Sequence, residues 1–175
     1  PGEYGSSFDA LIIALTKANL SRVDFELKSI GYTQIEQLLN KQIDVAVVFT
    51  NNEPVKLQAM GQKINLLPLA KYTDLVSAAL ITSNDKVQNN SQQVDGVKAA
   101  LQKGMQFCLD NPQQAVDISF DKGYIPNLSP EEKNYSLAVL KETIKLWGNA
   151  SDFGKFDEPK WKKSVDEMRA SGIIY

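Results

Sequence analysis

Seven consecutive residues, Ile43 to Phe49 (IDVAVVF), are nearly all apolar and mostly β-branched. A run of this kind suits a strand covered on both faces, in the middle of a parallel sheet. The flanking pattern agrees with that placement. Phe8, Leu11, Ile12, Leu15 and Ala18 recur at helical spacing behind a turn-rich opening in which Ser6 or Ser7 is a suitable N-cap. Val23, Phe25 and Leu27 alternate with charged residues as in a half-buried strand, and Ile35, Leu38 and Leu39 share one face of a short helix over 33–41. Asn52-Glu53-Pro54 opens a further helix, because proline in the first turn gives up an N–H that would have no partner there. Gly61 ends it, and Ile64 to Leu69 reads as another strand. The alternation predicts an α/β lobe with a mostly parallel sheet.

The character changes at Val76 to Thr82, an extended stretch with small residues, and beyond Ser83 every segment reads as helix. The predicted helices run over 91–110, 111–122, 129–147 and 157–171. Asn111-Pro112 and the capping box Ser129-Pro-Glu-Glu132 mark two of the starts. Leu137, Leu140, Ile144 and Trp147 form one apolar stripe; Trp161, Val165 and Met168 form another. Gly148 and Gly172 stand where helices end. About 70 residues of α/β pattern are thus followed by about 90 residues of helix with no sheet of their own. Those helices either bundle together or pack on a sheet outside this chain.

Composition narrows the chemistry. The net charge is −2 and no run of Lys or Arg forms a basic stripe, so nucleic acid is an unfavourable partner. Histidine is absent, which removes Ser-His-Asp and Cys-His catalysis, and the single Cys108 can neither pair internally nor build a metal site. No Gly-rich phosphate loop occurs. Ser83-Asn-Asp-Lys86 fits the bare S-x-x-K pattern, but its companion motifs are missing and a helix start explains it better. Glu131 and Glu132 fall in a first helical turn, where the dipole favours them. No apolar run approaches the length of a membrane-spanning helix, and the chain opens at Pro1 without an initiator Met.

Two places suit a ligand. Residues 2–7 lead into a helix N-terminus, where free N–H groups receive anionic or carbonyl oxygens, and Tyr4 adds a ring face for a flat molecule. A plain capped turn explains the same residues equally well. Residues 51–54 follow the buried strand, and open α/β sheets gather ligands at the carboxyl ends of strands. There Asn52 can donate and accept while Glu53 accepts from ring N–H or amino groups; helix capping is the competing use.

The order of these motifs resembles the thiamine-pyrimidine and riboflavin type of solute-binding protein. It is carried by Pro1-Gly-x-Tyr4-Gly5-Ser6, Gly31-Tyr32-x-Gln34, Ile43-Asp44-Val-Ala46, Asn52-Glu53-Pro54, Leu75-Val76-Ser-x-x-Leu80-Ile81-Thr82 and Asn111-Pro112-x-x-Ala115. The resemblance implies a periplasmic-binding-protein type II architecture. Residues 1–75 would form the ligand-binding lobe and 76–83 the crossover, with 84–175 as helices covering a first lobe that lies upstream of Pro1. It further implies an ABC-importer receptor outside the cytoplasm, periplasmic or lipid-anchored at the outer face of the membrane. Such a receptor captures a small heteroaromatic nutrient, passes it to a membrane permease and uses no cofactor. Tyr4, Gly5 and Ser6 would line the cleft, Glu53 would bond the ligand ring with Asn52 in support, and Tyr72 near the crossover is a further ligand-binding residue.

A sensing domain of a transcription regulator shares the two-lobed design and is the alternative. The related pyrimidine-forming enzymes carry a histidine and a Cys-rich motif that this chain lacks. Without the first lobe, the apolar stripe of residues 129–147 is expected to drive self-association.

Overall fold

The structure is a computed structural model of the chain, and it describes residues 5–21, 23–76, 78–121, 124, 129–148 and 152–175. Among these residues the regular elements are helices: α1 (Ser6–Lys17), α2 (Gln34–Leu39), α3 (Glu53–Ala59), α4 (Asn84–Asn89), α5 (Ser91–Asp110), α6 (Pro112–Asp121), α7 (Pro130–Trp147) and α8 (Glu158–Ala170), with a 3₁₀ turn at Leu69–Lys71. They fall into two compact units, Pro1–Ala78 with Asp157–Tyr175, and Ala79–Phe156.

The expected mostly parallel sheet is absent among the described residues, so the α/β lobe predicted from the pattern is corrected to helices joined by irregular segments. Among the described residues no backbone hydrogen bond joins any two of the segments read as strands, 23–27, 43–49 and 64–69, or joins them to the extended stretch 76–82. Some of their apolar side chains lie open, Val23 at 93% and Val45 at 82% exposure, and none of the others is fully buried. The physical reason is that a helix closes its hydrogen bonds within one segment, whereas a strand must borrow them from a neighbour. An apolar β-branched run says that a segment needs covering without saying what covers it.

Helix ends follow the sequence closely. Ser83 caps α4 by accepting from the Lys86 N–H at 3.3 Å, which accounts for the S-x-x-K pattern structurally. Ser129 and Glu132 form the complete capping box of α7, with the Ser129 N–H donating to Glu132 at 2.6 Å and the Glu132 N–H to Ser129 Oγ at 3.2 Å. Asp157 caps α8 through the Lys160 N–H at 2.9 Å. Gly61, Gly148 and Gly172 follow α3, α7 and α8 with positive φ, as a chain leaving a helix requires. One cap differs. Gly5, and neither Ser6 nor Ser7, stands at the N-cap of α1, with φ 105° and ψ 166°, a backbone region open essentially to glycine.

In the first unit α1 packs against α8 and the 3₁₀ turn, and α2 against α3. Ile13 of α1 is completely enclosed and Leu57 of α3 is buried. Enclosing an Ile side chain contributes about 1.5–3 kcal/mol. In the second unit α7 lies against α5 and α6, and Val116 and Phe153 are its buried apolar residues. The Phe153 ring meets Trp147 edge-on at 5.9 Å, and Gln102 Nε2 donates to the Phe153 carbonyl at 2.6 Å. These contacts close residues 152–156 over α5 and α7. Phe153→Ala is expected to lower unfolding stability by about 3 kcal/mol, through lost transfer energy plus an unfilled cavity. Urea denaturation followed by tryptophan fluorescence measures it; a loss below about 1 kcal/mol would mean that the ring is not packed as described.

Candidate functional site

A hollow of the first unit lies along α1, with a volume of about 630 Å³. That is within the 300–1,000 Å³ span of small-molecule pockets. Phe8, Ile12 and Leu15, spaced i, i+4 and i+7, form its apolar wall. The fully packed residues of the same helix, Ile13 and Ala14, lie on its other side. Three residues of the stripe read at helical spacing, Phe8, Ile12 and Leu15, therefore border an open cavity, while Ile13 and Ala14, outside the stripe, are buried.

Local chain chemistry supplies the remaining walls. Beyond α1 the chain reverses at Asn19, whose φ of 54° is left-handed and tolerated by asparagine. The Leu20 N–H then bonds back to the Leu15 carbonyl at 2.9 Å, which brings Leu20 and Ser21 to the hollow. Asp24 Oδ2 accepts from the Ser21 N–H at 2.7 Å and its hydroxyl at 2.9 Å. These two bonds hold the Asp24 carboxyl below its ordinary pKa and fasten the loop that presents Phe25. On the opposite side Gly172 turns the chain out of α8, and the Ile173 N–H bonds to the Met168 carbonyl at 2.9 Å, setting Ile173 into the wall.

The residues expected to bind ligand are dispersed. Tyr4 lies outside the described residues. Gly5 lines the hollow, its carbonyl accepting from the N–H groups of Phe8 and Asp9 at 2.9 and 3.1 Å; Ser6 is exposed at the start of α1. Asn52 and Glu53 are together at the start of α3, but not on this cavity. Glu53 Oε2 accepts from the Phe49 N–H at 3.1 Å and Oε1 from Asn52 Nδ2 at 3.3 Å, so its carboxylate shapes the turn behind its own helix. The Tyr72 carbonyl accepts from Lys17 Nζ at 2.6 Å. Reading the sequence did not single out Asp9 or Ile173 and placed Phe25 on a strand. The available signal was Asp9 itself, a lone acid beside an apolar helical stripe.

A polar cluster fastens the same unit. Glu167 of α8 accepts from Lys17 Nζ at 2.6 Å, from the Thr73 hydroxyl at 2.6 Å and from the Asp74 N–H at 3.4 Å. Ser164, buried, accepts from the Val76 N–H at 2.9 Å and donates to the Asp74 carbonyl at 3.3 Å, while Lys163 pairs with the Asp74 carboxylate. The packed side of α8 is thus polar, and Trp161 of the apolar stripe is exposed. Burial works to raise the Glu167 pKa, but Lys17, Thr73 and Asp74 together hold it below the ordinary 4.5.

Groups for covalent or metal chemistry are scarce. Burial raises the pKa of the Cys108 thiol and so keeps it protonated. Among the described residues no three His, Cys, Asp or Glu side chains gather to hold a metal, and no helix is long and apolar enough to cross a membrane. The arrangement offers a walled space for a small molecule.

Residues 4–115 match the family described as NMT1/THI5 like, and the chain belongs to that family. This bears out the resemblance to the thiamine-pyrimidine and riboflavin type of solute-binding protein. Among curated proteins, riboflavin-binding protein RibY of Chloroflexus aurantiacus is 29% identical over 178 residues, covering 99% of this chain and 50% of RibY. Putative binding proteins of Brucella abortus and Brucella melitensis are each 29% identical over 156 residues, covering 84% of this chain and 48% of theirs. The chain spans about half the length of the curated relatives it matches. No solved structure matches it significantly.

Because the folded-state pKa of Glu167 is depressed, its stabilisation is present above pH 4.5 and is lost as pH falls through the lowered value. Glu167→Gln should therefore lower the urea midpoint most at neutral pH, by about 1–3 kcal/mol in stability. Its curve should converge on the parent chain in acid; a deficit of constant size from pH 7 to 3 would assign the effect to packing instead.

Proposed function

We propose that this chain is part of the substrate-binding component of an ABC-type importer. In that role it captures a small heteroaromatic nutrient, a thiamine-precursor pyrimidine or a riboflavin-like molecule, and delivers it to a membrane permease. It works outside the cytoplasm, in a periplasm or lipid-anchored at the outer face of the cell membrane, and binds without turning its ligand over. The observation that carries the reading is the family match over residues 4–115. The names of the relatives, among them a riboflavin-binding protein, support it. In this reading residues 1–75 belong to the ligand-binding lobe, 76–83 cross between lobes, and 84–175 form a helical segment that meets the other lobe. Tyr4, Gly5, Ser6, Asn52, Glu53 and Tyr72 serve the ligand.

Asn52 and Glu53 are the most testable of these. Their mutual hydrogen bond at 3.3 Å orients a carboxylate at a helix start, where it can exchange the Phe49 N–H for a ligand donor. Glu53→Ala in the full-length protein is expected to weaken binding of riboflavin or an aminopyrimidine about tenfold, the loss of one charge-assisted hydrogen bond. Isothermal titration calorimetry reads it, and an unchanged affinity would place the ligand elsewhere. Native mass spectrometry of gently purified protein should show a co-purified flavin or pyrimidine. Catalytic turnover of either compound would contradict the reading.

A further inference from the structure

We infer that the cavity along α1 receives the edge of a flat, nitrogen-bearing aromatic molecule, with the Asp9 carboxylate accepting hydrogen bonds from its amino or ring N–H group. The inference rests on the proposed binding of a heteroaromatic nutrient and adds to it a pocket and an acceptor.

Three observations converge on Asp9. It lies on the side of α1 that carries Phe8 and Ile12, among the residues that wall the 630 Å³ hollow. Among the described residues no hydrogen bond or ion pair occupies its carboxylate, whereas Asp24, in the loop that forms the facing wall, is satisfied by Ser21. Burial also raises its pKa, with no opposing group to offset the lost hydration. A carboxylate placed without a partner beside apolar side chains costs stability that a ligand donor would recover. Asp9 stands in the first turn of α1, where the helix dipole favours an acid, but the dipole does not account for its place on the wall of a hollow.

The walls define the partner's body. Phe8 and Phe25 offer ring surfaces, and Leu15 and Ile173 offer aliphatic ones. Aromatic faces of this kind suit a planar ring by stacked or edge contacts. An anion is disfavoured, because the unsatisfied charge on the wall is already negative. An amino-substituted pyrimidine or the N–H-bearing edge of a flavin satisfies both walls and acceptor.

The test compares two pyrimidines that differ in one donor, using the 175-residue chain and calorimetric titration. Asp9→Asn should weaken 4-amino-2-methylpyrimidine about tenfold and leave 2,4-dimethylpyrimidine, which lacks the donor, unchanged. Phe25→Ala should weaken both. Circular dichroism of each variant checks that the helices persist. If Asp9→Asn loses its helical signal, amide shifts of the parent chain on titration with 4-amino-2-methylpyrimidine decide. Movement at Ile12, Leu20 and Ile173 supports the site, and movement confined to residues 49–54 overturns it. Equal weakening of both pyrimidines by Asp9→Asn overturns the acceptor role. Binding that depends on Glu53 but not on Asp9 sinks this inference and leaves the proposed function standing. No saturable binding of either pyrimidine or of riboflavin by the parent chain sinks this inference, and the same result with the full-length protein sinks the proposed function as well.

Discussion

One carboxylate ties together parts of the first unit that are far apart in the chain. Glu167 is separated from Lys17 by 150 positions and from Thr73 by 94, and it accepts hydrogen bonds from both. Its side chain is only 11% exposed, so it has surrendered most of its water and depends on these donors. Ser164, three residues earlier on α8, does the same for the backbone at 74–76. With little apolar surface enclosed in this unit, these polar contacts specify which part of the early chain α8 sits against. They are directional, whereas burial of apolar area is not. Losing a donor would leave a desolvated carboxylate, which makes the register costly to change.

The register of α8 also shapes the cavity. With α8 held against the end of α1 and the segment after the 3₁₀ turn, its C-terminal tail turns at Gly172 and brings Ile173 to the Phe8–Ile12–Leu15 wall. α1 consequently has two apolar sides with different fates. Ile13 and Ala14 pack tightly, and the longer stripe faces open space. In a helix built only for stability the wider stripe would be the packed one. The chain belongs to the family described as NMT1/THI5 like, and curated relatives that it matches are called binding proteins.

The helices were legible because their signals are local. Ser83, Ser129 and Asp157 bond to N–H groups within their own first turns, and the glycines after α3, α7 and α8 accept a positive φ that side chains resist. Much of the rest was not. Val23, Phe25 and Leu27 have the alternation of a strand, yet Val23 is exposed and Phe25 is a cavity wall held by the Ser21–Asp24 bonds. Ile43 to Phe49 has the composition of a central strand and no ladder. Of the residues that line the hollow, Gly5 was singled out from its place before a helix start, while the Asn52–Glu53 pair lies elsewhere; Asp9 and Ile173 were not singled out, because which residues wall a hollow depends on other segments.

From the sequence alone came the helices, their caps, the lack of histidine chemistry and the family, since each rests on residue identity or on spacing within a few turns. Tertiary structure alone decided which face of α1 is packed, that α8 is held by a half-buried carboxylate and a buried serine, and that three strand-like segments form no ladder among the described residues. The reason is physical. Helical hydrogen bonds are closed within a segment and so are written in it, whereas burial, desolvation and strand pairing belong to pairs of segments.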